Sequence, residues 1–223
     1  MATTSATDFE LRSAEDLLAY MVEQHHPRLM MACSFQKEES VLIDMLMRIE
    51  PKARVFTIDT GVLFPETYTI WREIEQRYGL AVEVHDAASP DGQPWTAQRC
   101  CGVQKVDALH RAVDGLGGWI TGLRREQAPT RAAAPKLEWD TTRSLWKANP
   151  LADWTDADVW NYIFKHDLPY HPLHDRGYSS IGCAPCTQPG SGRDGRWAGS
   201  DKIECGLHVD ADGDPADVLH PRS

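Results

Sequence analysis

Apolar residues along the first two-thirds of the chain fall into short continuous runs that alternate with stretches of helical spacing. Leu29 to Cys33 is a run of the kind a strand buried on both faces requires. Val41, Leu42, Met45, Leu46 and Ile49 then recur at helical spacing, and Pro51 closes that helix. Arg54 to Asp59 reads as a second strand, and Pro65 to Tyr78 as a second helix stopped by Gly79. Ala81 to His85 and Gly118 to Gly122 supply a third and a fourth strand. Between them a helical stretch opens at Cys100-Cys101 and runs to about Val113. Thr155-Asp-Ala-Asp158 has the form of a capping box with Asp in the fourth place. It starts a helix through Lys165 whose apolar side carries Val159, Trp160, Ile163 and Phe164.

This alternation predicts an α/β fold, a mostly parallel sheet with helices on both faces. Ligands of such sheets bind at the carboxyl ends of the strands. Here those ends are Ser34 to Ser40, Asp59-Thr60-Gly61 and Gly122 to Arg125, placed side by side. Beyond Pro169 the chain turns rich in Pro, Gly, Ser and charge, and Gln188 to Trp197 reads as a mobile loop rather than a second domain. The final Asp210-Ala-Asp-Gly-Asp-Pro215 has no core-forming pattern. The expected organisation is one domain over 1–187 and a flexible C-terminal tail over 188–223.

Charge and length narrow the classes. The 223 residues suffice for one substantial core, and the net charge of −10 argues against nucleic acid held on a basic surface. No apolar run approaches the roughly 20 residues of a membrane helix, so no membrane partner is expected. The first ten residues have neither a basic start nor a hydrophobic stretch, unlike a secretory signal. A soluble protein of a reducing cytoplasm is expected; whether it forms a homo-oligomer stays open.

Cysteine spacing carries the chemistry. Cys100 and Cys101 are adjacent, and Cys183 and Cys186 form a second clip far downstream. Neighbouring side chains do not easily converge on one tetrahedral ion, but each can bind a different iron of a [4Fe–4S] cluster. Zinc is the alternative, and a disulfide framework suits a smaller secreted chain. Cys33 reads as a small buried hydrophobe. Cys205, in a polar segment with His208 three residues on, is either a reactive thiolate or an incidental exposed cysteine. Backbone N–H groups at the start of the helix after Ser34, with Ser34 and Lys37, could hold a phosphate; a polar turn is the plainer reading. Arg124-Arg125 and the pair Arg193 and Arg196 offer forked donors for phosphate or sulfate, or are simply solvated.

Taken in order, several segments resemble the assimilatory sulfonucleotide reductases, of the adenine-nucleotide alpha-hydrolase-like (ATP-pyrophosphatase-related) fold. They are Ser34 to Ser40, Asp59 to Thr67, Cys100-Cys101, Thr121 to Gln127, Asn149 to Trp154, Tyr170 to Cys186 and Glu204-Cys-Gly-Leu-His208. The resemblance spans about Leu29 to His208. It implies reduction of adenosine 5′-phosphosulfate (APS) to sulfite and AMP, a [4Fe–4S] cluster on the four paired cysteines, and Cys205 as nucleophile. It implies an S-sulfocysteine on Cys205 that thioredoxin or a similar thiol donor resolves. It further implies that Lys105 links cluster and substrate charge, and that Arg193 and Arg196 hold the phosphosulfate. In one respect the chain departs: related ATP-using enzymes carry Ser-Gly-Gly-Lys-Asp-Ser, whereas Phe35 and Gln36 stand where the glycines would be, and the last serine falls one position late. Bulky side chains there would crowd a triphosphate. Three alternatives remain: reduction of the 3′-phosphorylated substrate, a non-catalytic metal- and nucleotide-binding protein, and an ATP-dependent thiolation or amidation enzyme.

Overall fold

Alternation along the strands decides how the layers stack. The computed structural model of the chain describes residues 6–96, 99 and 102–197. One six-stranded sheet has the order β3-β2-β1-β4-β6-β5. The strands are β1 (Leu29–Ala32), β2 (Arg54–Asp59), β3 (Glu83–Asp86), β4 (Gly118–Ile120), β5 (Leu137–Asp140) and β6 (Leu145–Ala148). Every neighbour pairs in parallel except β5, which runs antiparallel to β6. Met31 sits in register with Val55 on one side and Ile120 on the other, and all three enter the larger core cluster. Met30, one residue away, faces the opposite side and packs with Phe56 and Trp119.

Helices cover both faces, as a parallel sheet demands. On one face α1 (Ala14–His25), α2 (Lys37–Ile49), α3 (Pro65–Tyr78) and α5 (Asp156–Lys165) contribute Leu17, Leu42, Ile70 and Ile163 to the larger cluster. On the other, α4 (Gly102–Val113) contributes Leu109, Ala112 and Val113. The expected capping box starts α5: Asp158 N–H donates to Thr155 Oγ1 at 3.1 Å, and Thr155 N–H donates to the Asp158 carboxylate at 2.8 Å. Aspartate is therefore long enough to serve in the fourth place. Gly79 ends α3 in the left-handed region at φ 64°, where a side chain would be strained.

Three elements were not legible. The helix α1 has its own box at Ser13 and Asp16, which the pattern of longer apolar runs overshadowed. The β5–β6 hairpin is short and carries charge inward: Lys147 is buried and pairs with Glu138 across the hairpin at 2.7 Å. Such a strand lacks the apolar alternation that announces a sheet. The third strand is also shifted, beginning at Glu83 rather than Ala81.

Residues 188–197 double back on the preceding clip. Gln188 N–H donates to the Gly195 carbonyl, Trp197 N–H donates to the Cys186 carbonyl, both at 2.8 Å, and Trp197 is buried. The remainder of the expected tail, including Cys205, lies outside the described residues. No helix among those described is long and apolar enough to cross a membrane.

One buried histidine links this fold to pH. His171 is inaccessible to solvent; Leu173 N–H donates to its Nδ1, so its proton sits on Nε2, which faces Thr67 Oγ1 at 3.0 Å. Burial, aided by the neighbouring His174, pushes its pKa down to about 4. Below the ordinary value near ~6.5 the unfolded chain binds a proton that the folded chain refuses. Stability should therefore fall as pH drops from about 6.5 towards 4, by up to roughly 3 kcal/mol. Urea midpoints for the wild type and His171→Gln, compared at pH 7 and pH 4.5, check this; equal pH dependence in both rules His171 out as the source.

Candidate active site

Strand order places the site. From β1 the chain crosses to β2 on one side, while β4 lies on the other, so the loops after β1 and β4 part and leave a crevice. A cavity of about 420 Å³ fills that crevice, within the usual range for a small-molecule pocket. It is lined by the β1 loop (Ser34 to Glu39), the β4 loop (Thr121 to Arg124), Lys105 of α4, and the segments 179–182 and 191–193 with Arg196. Six cations and four carboxyl groups line it, in a chain whose net charge is −10. Its field is thus locally inverted and suits an anion.

The β1 loop departs from a glycine-rich cradle in a specific way. Phe35 adopts φ 60° and turns its ring into the core, fully buried and stacked on Trp71 at 5.2 Å. The crowding expected of both bulky residues therefore falls to Gln36 alone. Its Oε1 accepts from Ile181 N–H at 2.7 Å, and its Nε2 donates to Ser34 Oγ at 3.2 Å. Glu39, on the first turn of α2, accepts from Gln36 N–H at 3.0 Å and from Ser34 Oγ at 3.2 Å. Complete burial, with Glu38 beside it, holds the Glu39 carboxyl well above the usual carboxylate range. Gly122 makes room for it: a Cβ there would lie 2.5 Å from Glu39 Oε1.

Lys37 and Arg124 are spoken for. Lys37, buried, pairs with Asp156 at 2.5 Å and lies over the Trp160 ring. Arg124, 3% exposed, pairs with Glu38, Glu126 and Asp156, each at 2.9 Å. It lines the cavity as the centre of a carboxylate cluster rather than as an open fork. Arg125 lies apart: it donates to the Ala134 carbonyl and pairs with Glu10 at 2.6 Å, and it is absent from the cavity lining. Ser34, Lys105, Arg193 and Arg196 all line the cavity. The two downstream arginines also stack over Trp197, at 5.2 and 4.6 Å from its ring centre.

Arg131 also lines the cavity, and sequence reasoning missed it, as it missed the roles of Gln36, Glu39 and Ser180. Arg131 follows a proline in a short 3-10 turn and had no spacing signal. Gln36 was read only as an obstacle.

The Cys183–Cys186 clip adjoins the cavity through the same segment that walls it. Cys183 is buried, its Sγ 3.2 Å from Thr60 Oγ1, and Ala184 N–H bonds the Val62 carbonyl. The Cys186 Sγ lies 3.8 Å from the Thr96 carbonyl, and Thr96 N–H donates to the carbonyl of Arg99. Both thiols are free of disulfides. Among the described residues no cluster of three or more ligating side chains forms, but Cys100 and Cys101 lie outside them. Cys33, at the other end of the cavity, is buried, and burial pushes its thiol well up, in keeping with a packing role.

The sheet order, the crevice and its loop chemistry define an α/β protein of the adenine-nucleotide alpha-hydrolase-like class. Residues 28–189 match the phosphoadenosine phosphosulfate reductase domain family, and the chain belongs to that family. An adenosine 5′-phosphosulfate reductase of Geobacillus kaustophilus is 41% identical over 219 residues, covering 91% of this chain and 93% of that protein. A phosphoadenosine 5′-phosphosulfate reductase of Gloeobacter violaceus is 39% identical, covering 92% of each. Among solved structures, the phosphoadenylyl-sulfate reductase of Candida auris in a phosphate complex superposes with a TM-score of 0.67 at 24% identity, over 82% of this chain and 97% of that one. That likeness shows the fold.

Proposed function

We propose that this protein reduces adenosine 5′-phosphosulfate to sulfite and AMP with electrons from thioredoxin or a similar dithiol. The observation that carries this reading is a cation-lined cavity sharing one wall, residues 179–182, with the Cys183–Cys186 clip. The Geobacillus relative, named for this substrate, supports it.

The Cys205 thiolate attacks the sulfur of the phosphosulfate, the S–O bond to phosphate breaks, and AMP leaves with the electron pair. The enzyme then carries Cys205–S–SO₃⁻. A thiolate of the reduced dithiol attacks Cys205 Sγ, sulfite leaves with the S–S electron pair, and the second thiol resolves the mixed disulfide, regenerating Cys205. Two electrons pass from the dithiol to sulfur. Lys105, Arg193 and Arg196 balance the anion, and nearby positive charge favours the thiolate over the thiol, whose ordinary pKa is about 8.5.

Cys183 and Cys186 fit a metal–thiolate centre: they share one clip, and Cys186 Sγ lies against the carbonyl of Thr96, a few residues before Cys100 in the chain. With Cys100 and Cys101 they would hold a [4Fe–4S] cluster, which would order the site and bias its electrostatics.

Sulfite release from APS with thioredoxin, assayed beside the 3′-phosphorylated analogue, tests the activity. Faster turnover of the analogue would favour the second reading, which the Gloeobacter relative supports. For the cofactor, anaerobically purified protein should be brown with about four irons per chain, and Cys183→Ser should lose most of that iron. A colourless wild type holding zinc would overturn the cluster.

A further inference from the structure

Four hydrogen bonds run in one direction across the cavity floor, from a guanidinium to a carboxyl group. Arg196 Nη1 donates to Ser180 Oγ at 3.2 Å, and Ser180 Oγ donates to Gln36 Oε1 at 3.4 Å. Gln36 Nε2 donates to Ser34 Oγ at 3.2 Å, and Ser34 Oγ donates to Glu39 Oε2 at 3.2 Å. The polarity is forced from two points. A guanidinium can only donate, so Ser180 must pass its own hydrogen onward. The Ile181 N–H, also only a donor, meets Gln36 Oε1 at 2.7 Å and fixes which end of the amide faces it. Bonds aligned this way polarise one another.

Arg196 is the residue this chain holds. Its Nη1 also donates to the Ile181 carbonyl at 3.1 Å, and its guanidinium lies flat on Gly182, where a Cβ would stand 2.4 Å from Nη2. Its Nε is buried and meets no acceptor among the described residues. A buried guanidinium N–H without an acceptor is rare, and a bound anion is the natural partner for it. Gln36 reaches Arg196 through Ser180 and Ile181, and through them it can fix where the guanidinium points.

We propose that Gln36 is a positioning residue for Arg196, orienting the 180–182 segment so that the guanidinium meets the phosphosulfate of the substrate. The side chain that stands in place of a loop glycine thus acts as a brace between two cavity walls. This inference rests on the proposed sulfonucleotide activity.

A mutant cycle on the metal-loaded protein decides it, reading kcat and KM for APS and the Kd of AMP by calorimetry. Gln36→Ala should raise KM and Kd about tenfold, the equivalent of one hydrogen bond, with kcat changed less than about twofold because the attacking thiol is untouched. Gln36→Met, of similar volume but without hydrogen bonds, should do the same; recovery by Met would mean packing alone and overturn the inference. Arg196→Ala should weaken binding by at least as much, and the Gln36→Ala/Arg196→Ala double variant should match Arg196→Ala alone. Additive losses would show that Gln36 acts independently of Arg196, and unchanged KM and Kd in Gln36→Ala would end the proposal outright. A wild type that releases no sulfite from APS sinks the activity instead, while the AMP arm still decides for Gln36.

Discussion

Cys205→Ser should abolish sulfite release, a loss on the order of 10⁴-fold or more. Serine is nearly isosteric with cysteine, but its hydroxyl is not ionised near neutral pH and no general base is assigned to it. Attack on the phosphosulfate then has no nucleophile. Binding should survive, because Lys105, Arg193 and Arg196 line the cavity and keep their charge when the thiol becomes a hydroxyl. Three measurements separate the outcomes: sulfite release, AMP affinity, and intact mass after brief exposure to APS without a thiol donor. The wild type should gain the mass of one sulfonate group on the peptide containing Cys205, and the variant none. Iron content should be equal in both. Activity retained by the variant would move the nucleophile elsewhere, and an unmodified wild type would remove the covalent intermediate.

The second large effect concerns stability. Arg124→Ala leaves Glu38 buried with no cation against it, since that guanidinium donates to Glu38 Oε1 through Nε at 3.0 Å. An uncompensated buried charge costs about 3–5 kcal/mol. The gap would also loosen Asp156 and, through it, Lys37. Chemical denaturation should show a drop in that range. Adding Glu38→Gln to the Arg124→Ala chain should recover part of it by removing the stranded charge. A loss below about 1 kcal/mol would mean that solvent reaches Glu38 once the arginine is gone, and that the cluster contributes little to the fold.

Most of the frame was legible from residue pattern, and the site only in outline. Strands β1 and β2 and helix α3 were readable because a parallel sheet buries both faces of its central strands and leaves unbroken apolar runs. Pro65 and Gly79 bracket α3 by their own backbone preferences. The β5–β6 hairpin stayed hidden because buried Lys147 and half-buried Glu138 neutralise each other across strands, and such a pair looks polar in one dimension. Arg124 and Arg125 looked equivalent, being adjacent and alike. In an extended segment adjacent side chains part, and here one enters the carboxylate cluster at the cavity while the other turns to Glu10. Gln36 and Glu39 gained meaning only once Ile181, 145 positions along the chain from Gln36, was brought against the loop.

Phe35 ties the chemistry of the β1 loop to the stability of the whole chain. Its ring is sealed between the loop and Trp71, so exchanging it for glycine to rebuild a triphosphate cradle would open a hole costing about 3–5 kcal/mol. Proteins typically keep only about 5–15 kcal/mol in hand. With an aromatic ring sealed at this turn, a first step towards ATP by glycine substitution would begin to unfold the enzyme before any new substrate could reward it.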